Sequence, residues 1–108
     1  MTELESIKIE KESLINTIKL REAYLELLKD KNYQLVIEQA FMVDDCARYA
    51  RLSGLSSNSE EVRADALSKA QSAGHLAEYL HMLNMKGITA ANSLESLNQH
   101  EAELVLGE

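Results

Sequence analysis

Apolar residues recur every three or four positions over the first 28 residues of the chain. With Leu4 at the first position of a heptad, six of the eight first and fourth positions are apolar, a pattern typical of a helix that packs along one seam. A helix rises about 1.5 Å per residue, so residues 3–28 would span about 39 Å, and we expect the first two turns of helix 1–28 to protrude. The seam comprises Leu4, Ile7, Lys11, Leu14, Ile18, Arg21, Leu25 and Leu28.

A second helix is predicted over residues 30–53. Asp30 or Asn32 can cap its first turn by accepting a backbone hydrogen bond, and Gly54 is expected to end it in the left-handed conformation. The 3-4 spacing predicts an apolar face made of Tyr33, Val36, Ile37, Ala40, Val43, Ala47 and Ala50, widened by Phe41.

The segment 59–105 is predicted to be the helical hairpin partner, ending in an acidic tail. Ser57 and Glu60 have the spacing of a capping box at its start. Gly87 either ends this helix or lies within it, and the sequence leaves both possibilities open, with three or four helices in total. A stripe of small residues would let another helix approach closely. Its members are Ala66, Ala70, Ala73 and Ala77.

Composition favours an all-α fold. The chain has 108 residues, no proline, four glycines, one phenylalanine and no tryptophan. Without proline every segment is free to be helical, and a low aromatic content suits helix-on-helix packing better than a sheet. We therefore predict a single domain over residues 1–108, in which the long N-terminal helix packs on an antiparallel helical hairpin or bundle.

The charge of the chain bears on its partners. The net charge is −7 and the isoelectric point about 4.9, which argues against binding to nucleic acid, because that draws on clustered lysine and arginine. No apolar run approaches the roughly 18 residues of a membrane helix. Residues 1–12 lack the basic-then-apolar order of a signal peptide, so we expect no membrane association.

Candidate catalytic chemistry is limited to one cysteine and three histidines. Two acids precede Cys46, the opposite of the basic surroundings that activate a thiol. His75 and His81 are six residues apart rather than the three or four of a helical metal-binding pair, and His100 lies far along the chain. We predict no catalytic, cofactor-binding or metal-binding residue.

A polar edge is predicted beside the loop at residues 54–58. Asp44 and Arg48 have the i,i+4 spacing of an ion pair. Arg48, Arg51, Arg63 and Lys69 could meet a phosphate from the two sides of the loop, or could belong to a solvated surface that balances nearby acids.

One set of residues between positions 25 and 105 has a spacing that can be compared with known proteins. Its members are Leu27-Leu28, Tyr33, Val36-Ile37-Glu38, Phe41, Ala47 and Leu52, then Ser59-Glu60-Glu61, Gly74-His75-Leu76, Tyr79-Leu80 and Gly87. Their spacing resembles that in a group of small helical proteins of tailed bacteriophages. Ala40-Phe41-Met42 departs from the pattern of that group, which has a Gly-Tyr-Phe-like segment there. The resemblance implies a virion structural or assembly component, located in the virion or the host cytoplasm.

The leading hypothesis is a noncatalytic protein that works by contact with other virion proteins and with itself, as a homo-oligomer. One alternative is a small anti-defence protein that binds a nucleotide signal at an oligomer interface, through Arg48, Arg51, Arg63 and Tyr49. Another is a small DNA-packaging subunit, which the acidic balance counts against. The residues expected to make contacts are Leu4, Ile7, Leu14, Ile18, Arg48, Arg51, Ala66, Ala70, Ala73 and Ala77.

Overall fold

The computed structural model describes residues 2–107, and helices account for nearly all of them. Helix α1 spans Glu3–Leu27, and helix α2 covers residues 31–53. Helix α3 spans Glu60–Leu106 and is continuous through Gly87. The predicted all-α class is confirmed, with three helices and no strand in the part of the chain that the structure describes.

The chain forms two compact units, and helix α3 contributes to both. The first unit comprises the chain up to Leu25 and the residues from His81 onward, so it contains α1 and the C-terminal part of α3. The second unit, Glu26–Leu80, contains α2 and the N-terminal part of α3. Each unit is therefore built on one pair of helices.

The heptad seam of α1 lies against α3 in the first unit. Its positions from Leu4 to Leu25 are all buried or half-buried. Ile7 is 4% exposed, and Ala90 on α3 is buried as well. The seam predicted from apolar spacing is thus the face that packs within the chain.

The two basic residues that interrupt this seam find polar partners on α3. Lys11 Nζ lies 3.1 Å from Glu101 Oε1, and Arg21 Nε donates a hydrogen bond to Asn84 Oδ1 at 2.8 Å. Arg21 follows Lys11 on α1, whereas its partner Asn84 precedes Glu101 on α3, so the two helices are antiparallel. Polar partners of this kind remove the penalty of placing a cation in a half-buried seam.

The prediction that the first two turns of α1 protrude was wrong. Ile7 is buried, and Glu3 Oε1 lies 3.0 Å from His100 Nε2. The reason is the length of α3, which continues beyond Gly87 as far as Leu106 and so provides the first turns of α1 with a packing partner.

Gly87 marks a close approach between α3 and α1. It is buried, and a methyl group built on it would overlap Cβ, Cγ and Cδ of Arg21. Glycine is therefore needed here for space, and it lies inside a helix rather than at a helix end.

Helix α2 changes its hydrogen-bonding pattern along its length. Lys31–Tyr33 and Cys46–Ser53 are α-helical, while Gln34–Asp45 is a π-helix, whose i→i+5 hydrogen bonds seldom extend beyond a single turn in proteins. In this wider helix, residues five apart become neighbours. Accordingly Gln39 Nε2 donates a hydrogen bond to Asp44 Oδ1 at 3.0 Å.

Most of the apolar face predicted for α2 was therefore wrong. Tyr33 and Ile37 are half-buried as predicted, and Phe41 and Met42 are also half-buried. The 3-4 spacing assumes 3.6 residues per turn, and the π-helical section shifts the packing face away from the predicted one. The exposed members of that face are Val36, Ala40, Val43, Ala47 and Ala50.

The helix ends partly follow the predictions. Asp30 caps α2 by accepting hydrogen bonds from two backbone N–H groups. Ser59 rather than Ser57 caps α3, since its hydroxyl accepts from the backbone N–H of Val62 at 3.2 Å. Gly54 has φ −92 and ψ −8, so the predicted left-handed termination was wrong.

Gly87→Ala should lower the free energy of unfolding by about 1–3 kcal/mol, because the new methyl group meets the Arg21 side chain at its Cβ, which cannot swing aside. Gly74→Ala in the same helix is the control. Nothing lies within 4 Å of a methyl group at Gly74, so alanine should stabilise by about 0.5–1 kcal/mol through helix propensity. Urea denaturation followed by circular dichroism compares the two, and equal stabilisation by both would contradict the close approach.

Candidate interaction surfaces

The alanine stripe of α3 packs inside the second unit. Ala66, Ala70 and Ala73 are buried, while Ala77 is exposed. Cys46 Sγ on α2 lies 3.4 Å from the backbone oxygen of Ala70 and donates to it. The small residues thus let α2 approach α3 closely, and the three buried alanines are not accessible to a second chain in this structure.

The contact residues predicted on α1 also pack within the chain. Ile7 is buried and Leu4, Leu14 and Ile18 are half-buried in the seam against α3. These residues are brought together by folding, and whatever further contact they make with another chain is limited to their uncovered edges.

The polar edge of α2 is organised around the ring of Tyr49. The guanidinium carbon of Arg48 lies 4.5 Å from the ring centroid, and Lys69 Nζ on α3 lies 5.3 Å from it. A hydrogen bond to Asp45 at 3.2 Å, with the nearby Tyr49, raises the pKa of Arg48. A hydrogen bond to Asp65 raises the pKa of Lys69. Both cations already have a carboxylate partner on the protein.

The predicted ion pair between Asp44 and Arg48 is absent from the ion pairs of the described residues. Arg48 pairs with Asp45 instead, and Asp44 accepts from Gln39. The physical reason is again the π-helical section, which moves Asp44 out of register with the α-helical residues that follow.

The other arginines of the predicted anion site lie at the α2–α3 turn. Arg63 Nε donates to the backbone oxygen of Ser53 at 3.0 Å, and Asn58 Nδ2 donates to that of Leu52 at 3.3 Å. These bonds satisfy carbonyl groups that a helix end leaves open. Arg51 is exposed, so the three arginines do not form a shared cluster of uncommitted charge.

The structure separates the cysteine and histidines that could have formed a catalytic set. Cys46 is half-buried against α3, and His75 and His81 are exposed. His100 is paired with Glu3, with 3.0 Å between Nε2 and Oε1. Among residues 2–107, no three His, Cys, Asp or Glu side chains are grouped as a metal site requires.

Apolar side chains remain uncovered on every helix. The buried hydrophobic residues of the described chain are one isoleucine and four alanines. The exposed large ones are Ile9, Leu20, Leu27, Leu35, Val36, Val43, Leu55, Val62, Leu67, Tyr79, Met82, Met85, Val105 and Leu106.

Two of these exposed residues were missed by the sequence analysis although a signal was present. Ile9 and Leu20 lie on the side of α1 opposite the seam, where they belong to a second 3-4 series between Ser6 and Ala23. Most members of that series are small and polar, so a search for apolar residues does not find it.

No family profile, curated protein or solved structure matches the chain. No helix in the described residues combines the length and hydropathy needed to cross a bilayer.

Ala70→Leu should destabilise the protein by about 1–3 kcal/mol, because three added carbon atoms must fit beside α2 at a buried position whose backbone contacts Cys46. Ala77→Leu, on an exposed position of the same stripe, should change stability by less than about 0.5 kcal/mol. Thermal and urea denaturation measure both. If the stripe instead served a second chain, Ala70→Leu would alter the mass in solution and leave the stability of the monomer unchanged.

Proposed function

We propose that the protein is a noncatalytic helical component of a bacteriophage virion, or of its assembly, and that it works by contact with other proteins and with copies of itself. The observation that carries the proposal is the apolar surface that the chain leaves uncovered. The virion context is taken from the resemblance, whereas self-association is argued from packing.

The number of neighbouring helices limits how much of each helix is covered. Within each unit a helix has one neighbour, which covers a stripe along one side, whereas a bundle covers two sides. Large residues of the seam, such as Leu14 and Ile18, and Leu83 on α3 are consequently half-buried rather than buried. A further helix would complete their burial.

The exposed apolar side chains are the second support. Fourteen large apolar residues are exposed in the described chain, and they lie on all three helices and at Leu55. Burial of such side chains against another chain removes apolar area from water, at about 25 cal/mol per Å². The uncovered apolar surface therefore favours association.

Half of the residues that carry the bacteriophage resemblance are buried or half-buried, and the other half are exposed. Ile37, Phe41, Leu76 and Leu80 are half-buried in the structure, so their spacing reflects the helical hairpin. The resemblance supports a shared helical architecture, and an assembly role is the function that architecture would serve.

The nucleotide-binding alternative draws less support. Arg48 is paired with Asp45 and lies over Tyr49, and Arg63 holds the end of α2. An anion would have to displace these partners before it could bind.

Sedimentation equilibrium should show an average mass that rises from 12.1 kDa as concentration increases over about two decades, because the association is driven by burial of the uncovered apolar surface. A constant mass of one chain up to the highest concentration would contradict self-association.

The chain should also be detected by mass spectrometry in purified particles or assembly intermediates of the phage that encodes it. A non-structural protein expressed at the same time is the matched control for contamination. Absence from particles and from intermediates, with the control also absent, would overturn the virion role and leave self-association to be judged on its own test.

A further inference from the structure

Helix α1 carries a second series of positions with 3-4 spacing, on the side opposite the seam that packs on α3. All of its members are exposed, and the two large apolar ones, Ile9 and Leu20, are 55% and 52% exposed. Ten of the 25 residues of α1 are charged, yet none of the ten falls in this series. The series is Ser6, Ile9, Ser13, Asn16, Leu20 and Ala23.

The absence of charge gives this face a meaning that exposure alone does not. A helix face that meets only water is normally rich in charged residues, as the flanks of this series are, with Glu5, Glu12 and Lys19. A charge-free line with 3-4 spacing that carries two large apolar residues is the kind of surface that a helix presents to another helix.

The series is also complementary to itself when it is read in the opposite direction. A second copy of α1 placed antiparallel brings small residues against small ones, apolar against apolar, and polar against polar. A parallel copy would also pair like with like, with Asn16 against Asn16 and Ser13 against Ser13, so the flanking charges decide the orientation. The antiparallel pairs are Ser6 with Ala23, Ile9 with Leu20, and Ser13 with Asn16.

We propose that residues 6–23 of α1 form an antiparallel, two-fold symmetric contact with the same residues of a second copy of this chain. This proposal rests on the self-association proposed above and specifies its surface. The axis passes between the two Ser13–Asn16 pairs, where the Asn16 amide can donate to the Ser13 hydroxyl of the other copy. A polar pair inside a seam fixes its register, and an isologous contact closes at two copies.

The flanking charges give one attractive and one like-charge pair in this register. Glu5, Glu12, Lys19 and Glu26 are all exposed and lie along the same side of the series. In the antiparallel pairing, Glu12 of one copy faces Lys19 of the other near the axis, and symmetry repeats the pair. Glu5 faces Glu26 at the ends of the contact, where Glu26 already pairs with Lys29 at 3.2 Å. Such flanking pairs set the orientation of paired helices more than they add affinity.

The contact is modest in size. Residues 6–23 extend about 26 Å along the helix, and the small side chains permit axes near the lower end of the usual range of about 8–10 Å. A strip one helix wide buries less than the roughly 800 Å² per partner of a standard interface. The dimer should therefore dissociate on dilution, and it leaves other uncovered surface for other partners.

The first test replaces Leu20 by glutamate, which would place a carboxylate against Ile9 of the second copy. Leu20→Glu should abolish dimerisation in sedimentation equilibrium while leaving the circular dichroism spectrum unchanged, because Leu20 is exposed in the monomer. Val62→Glu is the matched control, since Val62 on α3 is 50% exposed and lies outside the series. It should dimerise like the wild type.

The second test measures the register by disulfide cross-linking in a Cys46→Ser background. The double variant Ser6→Cys/Ala23→Cys should form covalent dimers under mild oxidation, with the 6–23 link identified by peptide mass spectrometry. Ser6→Cys alone should not form them. The two positions are about 26 Å apart on one helix, so an intrachain link is excluded. A parallel pairing would instead give 6–6 and 23–23 links in the double variant, and the single variant would cross-link efficiently as well.

The outcomes separate this proposal from the one it rests on. A wild type that stays monomeric at every concentration overturns both. A wild type that dimerises, with Leu20→Glu equally dimeric and no 6–23 link, leaves self-association standing and overturns this surface. If Leu20→Glu misfolds, the cross-linking experiment decides alone, because it leaves Ile9 and Leu20 in place.

Discussion

The close approach of Gly87 to Arg21 is the contact on which the packing of the first unit depends. A glycine inside a helix costs about 1 kcal/mol relative to alanine, and the overlap that a methyl group would make with Arg21 explains why that loss is accepted here. With the two helices held at this distance, Arg21 reaches Asn84 and Lys11 reaches Glu101. Lys11 and Arg21, the two charged residues of the seam, therefore act together with Gly87 to fix the register of α1 on α3.

In the second unit, alanine residues rather than a glycine allow the close approach of two helices. Ala66, Ala70 and Ala73 are buried in the second unit, and Cys46 on α2 donates to the backbone oxygen of Ala70. Close approach through small residues brings backbones together, but it buries little side-chain area. The larger apolar residues therefore lie beside the contact line rather than in it, and they stay half covered.

Much of the fold could be predicted from the sequence, and the main error, the packing face of α2, has one local cause. The course of α1, the cap at Asp30 and the burial of the seam follow from heptad spacing and local hydrogen bonding, which are sequence-local properties. The packing face of α2 does not, because a π-helical section changes the number of residues per turn. Val36 and Val43 were assigned to the core by a periodicity that the backbone of this segment does not follow.

The candidate contact residues were harder to predict, because spacing identifies a face without identifying what covers it. Leu4, Ile7 and the buried alanines were recognised as contact positions, and the structure shows that the chain itself supplies their partner. Arg48 and Arg63 were recognised as cations, but their carboxylate and carbonyl partners depend on the register of α2 against α3.

The outer series of α1 shows what kind of signal was overlooked. It contains two large apolar residues, Ile9 and Leu20, among small and polar ones, so its mean hydropathy does not distinguish it from a solvated face. Its distinguishing feature is the avoidance of charge along a regular line, on a helix where charge is frequent on every flank. A face that meets only water gains nothing from excluding charge, whereas a face that meets another helix would have to desolvate each charge placed on it. Charge avoidance is therefore the better physical evidence for a contact on α1, and it assigns the two sides of the helix to different partners.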